Sequence, residues 1–438
     1  MKKLPLLCII VSTLFNCDNN AQNFTLENLQ DTGNLIISNV FVVSMAKDTI
    51  LKNQNILVED GRIKLMTTSK IQDTKDFKVV DGTGKYVMPT LADAHVHLPE
   101  SEDEFRRMMQ LYLINGVTKL RSMRGDFKQL GLRKKYNTST SIYPKLYLAT
   151  PPISRRQDWS PALLKDSIEY WKKSGFDFIK ILSVKNQDVF ENIDLYSKKF
   201  DLPLTGHFPS NVNDSIFFQS NYSSLEHLGG LLISIDTLKE RLLAIKKHNM
   251  ALCPTLSWYS IGSGRYSYEE LRQLPGMDYV PESTINDWII GTKKYREKLG
   301  QEAYKAEVDS ELNILKTKYL IIKVAHDMGI SFLLSPDSSS KYMVPGFSVL
   351  GEMKLLKNAN LSNFDILKMA TTNFAAYFQE DYGEIEVGQK ADFILLNENP
   401  LQNLDALKSI EGLYFNNHFL DSQQLQDMRL ALRPKSRI

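Results

Sequence analysis

Val87–Glu100 reads VMPTLADAHVHLPE, an apolar run that closes on Asp93-Ala94-His95-Val96-His97. In a β-strand alternate residues face the same way, which sends Asp93, His95 and His97 to one side and Val96 to the other. Two imidazoles about 7 Å apart along a strand can converge on one metal ion. A bare His-x-His is equally a pair of solvent-facing histidines at a strand end. What lies downstream of Glu100 decides between them.

From Val87 onward, apolar runs of strand length alternate with amphipathic stretches of helix length, the pattern of βα units on a parallel sheet. Eight runs qualify: Val87–His95, Val117–Arg121, Lys145–Ala149, Phe178–Leu182, Leu202–His207, Ser224–His227, Ala251–Pro254 and Ser331–Ser335. Helical patterns fall between most of them, at Glu104–Ile114, Ala162–Ser174, Thr237–Asn249 and Glu302–Met328. The expected class is α/β, a (β/α)8 TIM barrel over residues 87–382. Upstream, residues 34–86 hold short strand-like runs divided by Glu59-Asp60-Gly61 and Asp81-Gly82-Thr83-Gly84. Downstream, residues 383–438 carry another strand, Phe393–Leu396. Both chain ends together are expected to build a small β-sandwich beside the barrel. The long interval from Leu256 to Gly329, with Trp258, Tyr259 and Trp288, follows a strand and so belongs on the catalytic face. It reads as a lid or substrate loop, with an inert surface excursion as the alternative.

The first 16 residues stand apart. Lys2 and Lys3 precede the apolar run Leu4–Phe15, too short to span a bilayer as a helix. The run ends in Leu14-Phe15-Asn16-Cys17, a bacterial lipoprotein cleavage box apart from Asn16, where Gly, Ala or Ser is usual. Residues 1–16 are therefore expected to be a lipoprotein signal peptide, Cys17 the lipidation site and residues 17–33 a linker. An ordinary secretory signal is the alternative. This predicts export to the bacterial periplasm or outer membrane, with the membrane contacted only through the lipid on Cys17. Cys8 would leave with the signal, and Cys17 and Cys253 offer no intramolecular disulfide. Without Lys2 and Lys3 the chain has 51 basic against 51 acidic residues, which gives no electrostatic reason to expect nucleic acid. A small-molecule substrate in an enclosed site suits that balance, and a homo-oligomer is compatible with it.

Barrel active sites draw on the C-terminal ends of strands. There the chain carries His95 and His97, Lys180 inside Phe178-Ile179-Lys180-Ile181-Leu182, His207, Glu226-His227 and Asp337. Singly, a strand lysine is usually an exposed edge residue and a turn Asp is usually a cap. Four of the seven histidines gathered with one Asp and one Lys at strand ends are harder to dismiss. His248, His326 and His418 fall in helix or tail patterns and take no role.

The ordered set resembles the amidohydrolase superfamily, close to its imidazolonepropionase-like and Xaa-Pro dipeptidase (prolidase)-like branches. The resemblance rests on Asp93-Ala94-His95-Val96-His97, Gly116-Val117-Thr118 with Arg121, Asp177–Ile181, Gly206-His207, Glu226-His227-Leu228, Pro254-Thr255-Leu256, Asp337 and Gly383–Asp392. It implies that His95, His97 and Asp337 hold one divalent ion and His207 and His227 a second, zinc being the expected metal. Lys180 would bridge them as N6-carboxylysine. Burial in an apolar strand also favours the neutral amine that such a modification needs. The implied activity is metal-dependent hydrolysis of an amide C–N bond by a metal-bridging hydroxide, with Asp337 relaying the proton to the leaving amine. Candidate substrates are an Xaa-Pro dipeptide or an N-acyl amino acid, with Tyr259 as a pocket residue. Arg155, Arg156 or Arg265 could fork onto a substrate carboxylate, although surface solvation is the simpler role. Pro209 stands where relatives often carry a second histidine, Ser122 where an Asp is frequent, and Ser335-Pro336-Asp337 replaces Gly-Thr-Asp. Three rival readings are a mononuclear cyclic-amide hydrolase, which would not need Lys180, a lactonase or esterase on the same metal pair, and a non-catalytic barrel scaffold.

Overall fold

The computed structural model describes residues 26, 29, 32–72 and 74–434. Five strands open the described chain: β1 (Leu35–Val43), β2 (Ile50–Glu59), β3 (Arg62–Thr67), β4 (Lys78–Asp81) and β5 (Tyr86–Pro89). Asp60 and Gly61, at φ 51° and 69°, form the two-residue turn between β2 and β3. Positive φ at both turn positions matches the twist of a tight hairpin, and Asp-Gly tolerates it at low cost. Val40, Val42, Ile56, Val58, Ile63 and Val87 from these strands share one buried cluster.

Then the pattern changes. Strands β6 (Leu91–Val96), β7 (Val117–Ser122) and β8 (Lys145–Leu148) form a parallel sheet. A second parallel sheet holds β9 (Ile179–Ile181), β10 (Leu204–Gly206), β11 (Tyr222–Glu226) and β12 (Ala251–Cys253). Parallel bridges join their borders, from Ala149 to Phe178 and from Leu252 to Phe332, and Val96 bridges Ser338. Helices fill the crossovers: α1 (Glu102–Leu113), α2 (Phe127–Tyr136), α3 (Pro161–Ser174), α4 (Gln187–Lys199), α5 (Asp214–Phe218) and α6 (Ile235–Lys247). Local sequence sets their limits. Ser160 caps α3 by accepting from Leu163 N, Pro161 occupies its first turn, and Gly175 at φ 97° ends it. Its buried face is Leu164, Ile168 and Trp171, at the three- and four-residue spacing of a helix.

Beyond β12 come α7 (Leu256–Gly262), α8 (Tyr268–Arg272), α9 (Glu282–Leu299) and α10 (Gln301–Asp327), then α11 (Phe347–Leu356), α12 (Asn363–Met369) and α13 (Thr372–Phe378). The chain closes with β13 (Phe393–Leu396), β14 (Ile410–Phe415), β15 (His418–Asp421) and α14 (Ser422–Leu432). These last strands join the first five in one mixed sheet, ordered β15-β14-β13-β5-β1-β2-β3 with β4 on β1. Among the described residues no helix is long and apolar enough to cross a membrane.

Two strand expectations need correction. Val87–His95 is not one strand. Its first half, β5, pairs with β1 and β13, and its second half, β6, pairs with β7. Thr90 separates them by donating to Asp392 O. Ser331–Ser335 is shorter than a regular strand but sits between two of them: Leu252 N of β12 donates to Ser331 O, Leu333 N donates to Leu252 O, and Ala94 N of β6 donates to Leu334 O, while Leu334 N is drawn to Met369 O at the end of α12. The interval expected as a loop or lid is mostly helix.

Candidate metal centre

The His-x-His strand does not alternate as its sequence suggests. The register of β6 on β7 slips between Asp93 and Val96. Asp93 turns to α1, where Tyr112 Oη and Ser338 Oγ donate to its Oδ2 at 3.1 Å each, while its Oδ1 accepts from His95 N. Burial pushes the Asp93 carboxyl up to about 8. His95 turns the other way, to Glu226 and Asp337. Asp93 is thus parted from the histidines it was expected to accompany, because an irregular register reverses which face a residue takes.

One ligand atom each from His95, His227 and Asp337 lie within 4.8 Å of one another. His97 Nε2 pairs with Asp337 Oδ1 at 2.9 Å, and His95 Nε2 is 3.5 Å from that oxygen. The ring of His207 stands 4.9 Å from that of His227, which is 5.0 Å from that of His95. Lys180 is buried on β9, next to Thr205 of β10 in the ladder. The resemblance assigns these residues to two ions, and the tightest triad takes members from both groups.

Fixed hydrogen-bond partners orient two of the imidazoles. Glu226 Oε2 meets His95 Nδ1 at 2.7 Å, while Arg121 Nη2 donates to its Oε1 at 2.7 Å. Burial resists ionising Glu226, but the charge of Arg121 and the bond to His95 outweigh it and hold the carboxyl well below its usual range. Arg121 is itself wholly buried, donating to Ala94 O and Ser224 Oγ. Thr255 Oγ1 meets His227 Nδ1 at 2.8 Å. Burial lowers the pKa of His95, takes His207 to about 3 and holds His227 well below the ordinary value. Burial also lowers Lys180. Asp337 stays ionised: burial opposes its charge, and the imidazoles of His95 and His97 overcome that penalty.

This donor set fits a divalent ion. Neutral imidazoles keep a lone pair for a metal, a carboxylate balances its charge, and buried His97 Nδ1 has no hydrogen-bond partner among the described residues.

Tyr259 on α7 is close enough to Asp337 for that charge to help burial raise its phenol to about 12. Arg155 and Arg156 are exposed, and Arg265 is engaged with Tyr266 Oη at 2.6 Å. Sequence reading left Arg121, Glu226 and Thr255 without a role. The signals were their places in the matched motifs, an arginine ending an apolar strand, a glutamate directly before His227 and a threonine directly after Pro254.

Residues 239–419 match the amidohydrolase family. That match covers the later part of the parallel strands, the helices that follow them and the closing strands. Over 65 residues the chain is 40% identical to a 5-methylthioadenosine/S-adenosylhomocysteine deaminase of Caldanaerobacter subterraneus subsp. tengcongensis, and that match spans only 15% of either chain. Its fold is similar to a Xaa-Pro dipeptidase with bound methionine in the active site (TM-score 0.66, 14% identity, covering 89% of this chain and 100% of that one). It is similar to a bottromycin amidohydrolase (TM-score 0.72, 19% identity, 91% and 90%) and to A. niger ochratoxinase (0.65, 15%, 90% and 97%). At these identities the likeness is one of fold.

Proposed function

We propose that the chain is a metal-dependent hydrolase that cuts an amide C–N bond in a small molecule, an Xaa-Pro dipeptide or an N-acyl amino acid. The observation that carries this reading is the convergence of His95, His227 and Asp337 within 4.8 Å, flanked by His97 and His207. In this reading the parallel strands close as a (β/α)8 barrel over 87–382, and the chain ends form its sandwich-like companion. His95, His97 and Asp337 would hold one divalent ion, His207 and His227 a second, with Lys180 carboxylated between them and zinc the expected metal. Bound there, the ions would supply an activated water and polarise the scissile carbonyl. The chain's own part is positional. Glu226 and Thr255 fix the imidazoles, and the ionised Asp337 takes a proton at its carboxylate and returns it to the leaving amine.

One observation favours a second reading. A triad of His95, His227 and Asp337 alone suits a single ion, as in a mononuclear cyclic-amide hydrolase. Metal content per chain separates the two, measured on protein expressed from Asp18 with zinc and bicarbonate, beside Lys180→Ala. About two ions falling to one or fewer supports the bridged pair. One ion, unchanged by the substitution, moves the mononuclear reading to first place. No metal sinks both.

Export and lipidation belong to the proposal too. Residues 1–16 and Cys17 lie outside the described residues. Palmitate labelling of cells carrying the chain or Cys17→Ser tests them, with label expected only on the former.

A further inference from the structure

His227 is held by groups its own strand does not supply. It follows the last residue of β11 at φ 62°, with Leu228 at φ 53°, a left-handed pair of bulky residues that surrounding contacts must maintain. His227 N donates to Cys253 O at 2.8 Å, and Nδ1 meets Thr255 Oγ1. That leaves the carbonyl. It accepts from Lys318 Nζ at 2.7 Å.

Lys318 lies on α10, 91 residues further along, and its side chain is wholly buried. Burying an ammonium is costly unless its donors are satisfied. A methionine would fill the same space without that cost, so packing does not account for a lysine here. Its Nζ also sits over the Tyr259 ring on α7, 3.8 Å from the centroid. One buried amine, lowered by burial from 10.5 to about 7, therefore ties α10 to α7 and to the turn that presents His227.

We propose that Lys318 is a positioning residue for the metal centre, so that the helical insertion at residues 256–329 is part of the site's framework and sets the angle at which His227 reaches the ion. The proposal rests on the metal-binding reading above and adds to it a residue with no metal-ligating atom of its own.

The test compares zinc affinity of the full chain, by chelator competition, with that of Lys318→Met, Lys318→Arg and the surface control Lys323→Met. The cobalt(II)-substituted forms are compared by their d–d absorption, which reports ligand geometry. Lys318→Met is expected to lose about 10- to 100-fold in zinc affinity, the usual effect of removing an outer support of a metal ligand. Its cobalt spectrum shifts, while the metal-free melting temperature does not fall. Lys318→Arg, which keeps a donor, recovers part of both, and Lys323→Met matches wild type. Wild-type zinc affinity and cobalt spectrum in folded Lys318→Met overturn the inference. If that variant does not fold, Lys318→Gln takes its place under the same criterion. A wild-type chain without zinc affinity overturns the metal reading itself and this inference with it.

Discussion

At Glu226 a single carboxylate serves His95 through one oxygen and Arg121 through the other, all three groups being buried. Removing its charge leaves the guanidinium of Arg121 buried without a counter-charge, which costs about 3–5 kcal/mol. Glu226→Gln is therefore expected to lose stability on that scale in urea denaturation of the metal-free chain. Glu226→Asp, which keeps the charge on a shorter stem, should lose less. A loss below about 1 kcal/mol in Glu226→Gln would mean that Arg121 finds its compensation elsewhere.

Glu352 makes a pH prediction. Its carboxylate accepts from Leu256 N, Ser257 N and Ser257 Oγ at the start of α7. Burial raises it from 4.5 to about 7, with nearby Asp337 adding repulsion. Lys318 is also close enough for its charge to be felt, though not enough to reverse the shift. A carboxyl raised on folding binds its proton more tightly in the folded chain. Its contribution is fully present below about 4.5 and is lost as pH climbs to about 7, roughly 3 kcal/mol over that window. Metal-free wild type should therefore weaken relative to Glu352→Gln between those pH values and run parallel to it above about 7. Urea midpoints at closely spaced pH values check this; parallel curves throughout would place the Glu352 pKa near its ordinary value.

Among the elements, β10 has little room for change. Gly206, at φ 132°, passes so close to β9 that a Cβ would lie 2.1 Å from Ile181 O. That oxygen also accepts from His207 N and cannot withdraw without opening the β9–β10 ladder. Gly206→Ala adds backbone strain to overlap, each worth about 1–3 kcal/mol. The expected outcome is a loss of about 2–6 kcal/mol in thermal or urea unfolding, together with weaker metal binding as His207 is displaced. The last helix offers a milder test. Asp421 and Gln424 cap α14 reciprocally, and Asp421→Ala should cost about 1 kcal/mol without altering metal content.

For the molecule as a whole, the join between sheet and parallel strands matters most. Strand β5 lies between β1 and β13, and so depends on both chain ends. Beneath it Lys119 of β7, wholly buried, pairs with Asp392 at 2.7 Å and packs on the rings of Tyr382 and Phe415. A chain ended at Gln389 would strip β5 of a partner and leave Lys119 buried without its counter-charge. Loss of soluble protein is the expected result, read by expression and sedimentation. A soluble, metal-binding truncation would show that the parallel strands fold without the mixed sheet.

Local pattern determined much of this protein by itself. The alternation of apolar runs with helix-length stretches, the Asp-Gly turn at residues 60–61, and the Ser, Pro and Gly signals around α3 act between near neighbours and need no distant partner. Polar residues at strand ends were legible for the same reason, since the end of a strand is where a buried run meets turn chemistry. What only the tertiary structure decided was direction and support. The slip that parts Asp93 from His95 is set by pairing with β7, and the split of Val87–His95 by β13, more than 290 residues away. Arg121, Glu352 and Lys318 act on the site from separate elements, and each reads in sequence as an ordinary charged residue. A buried charge acquires its meaning from whatever the rest of the fold places opposite it, and that information is nonlocal.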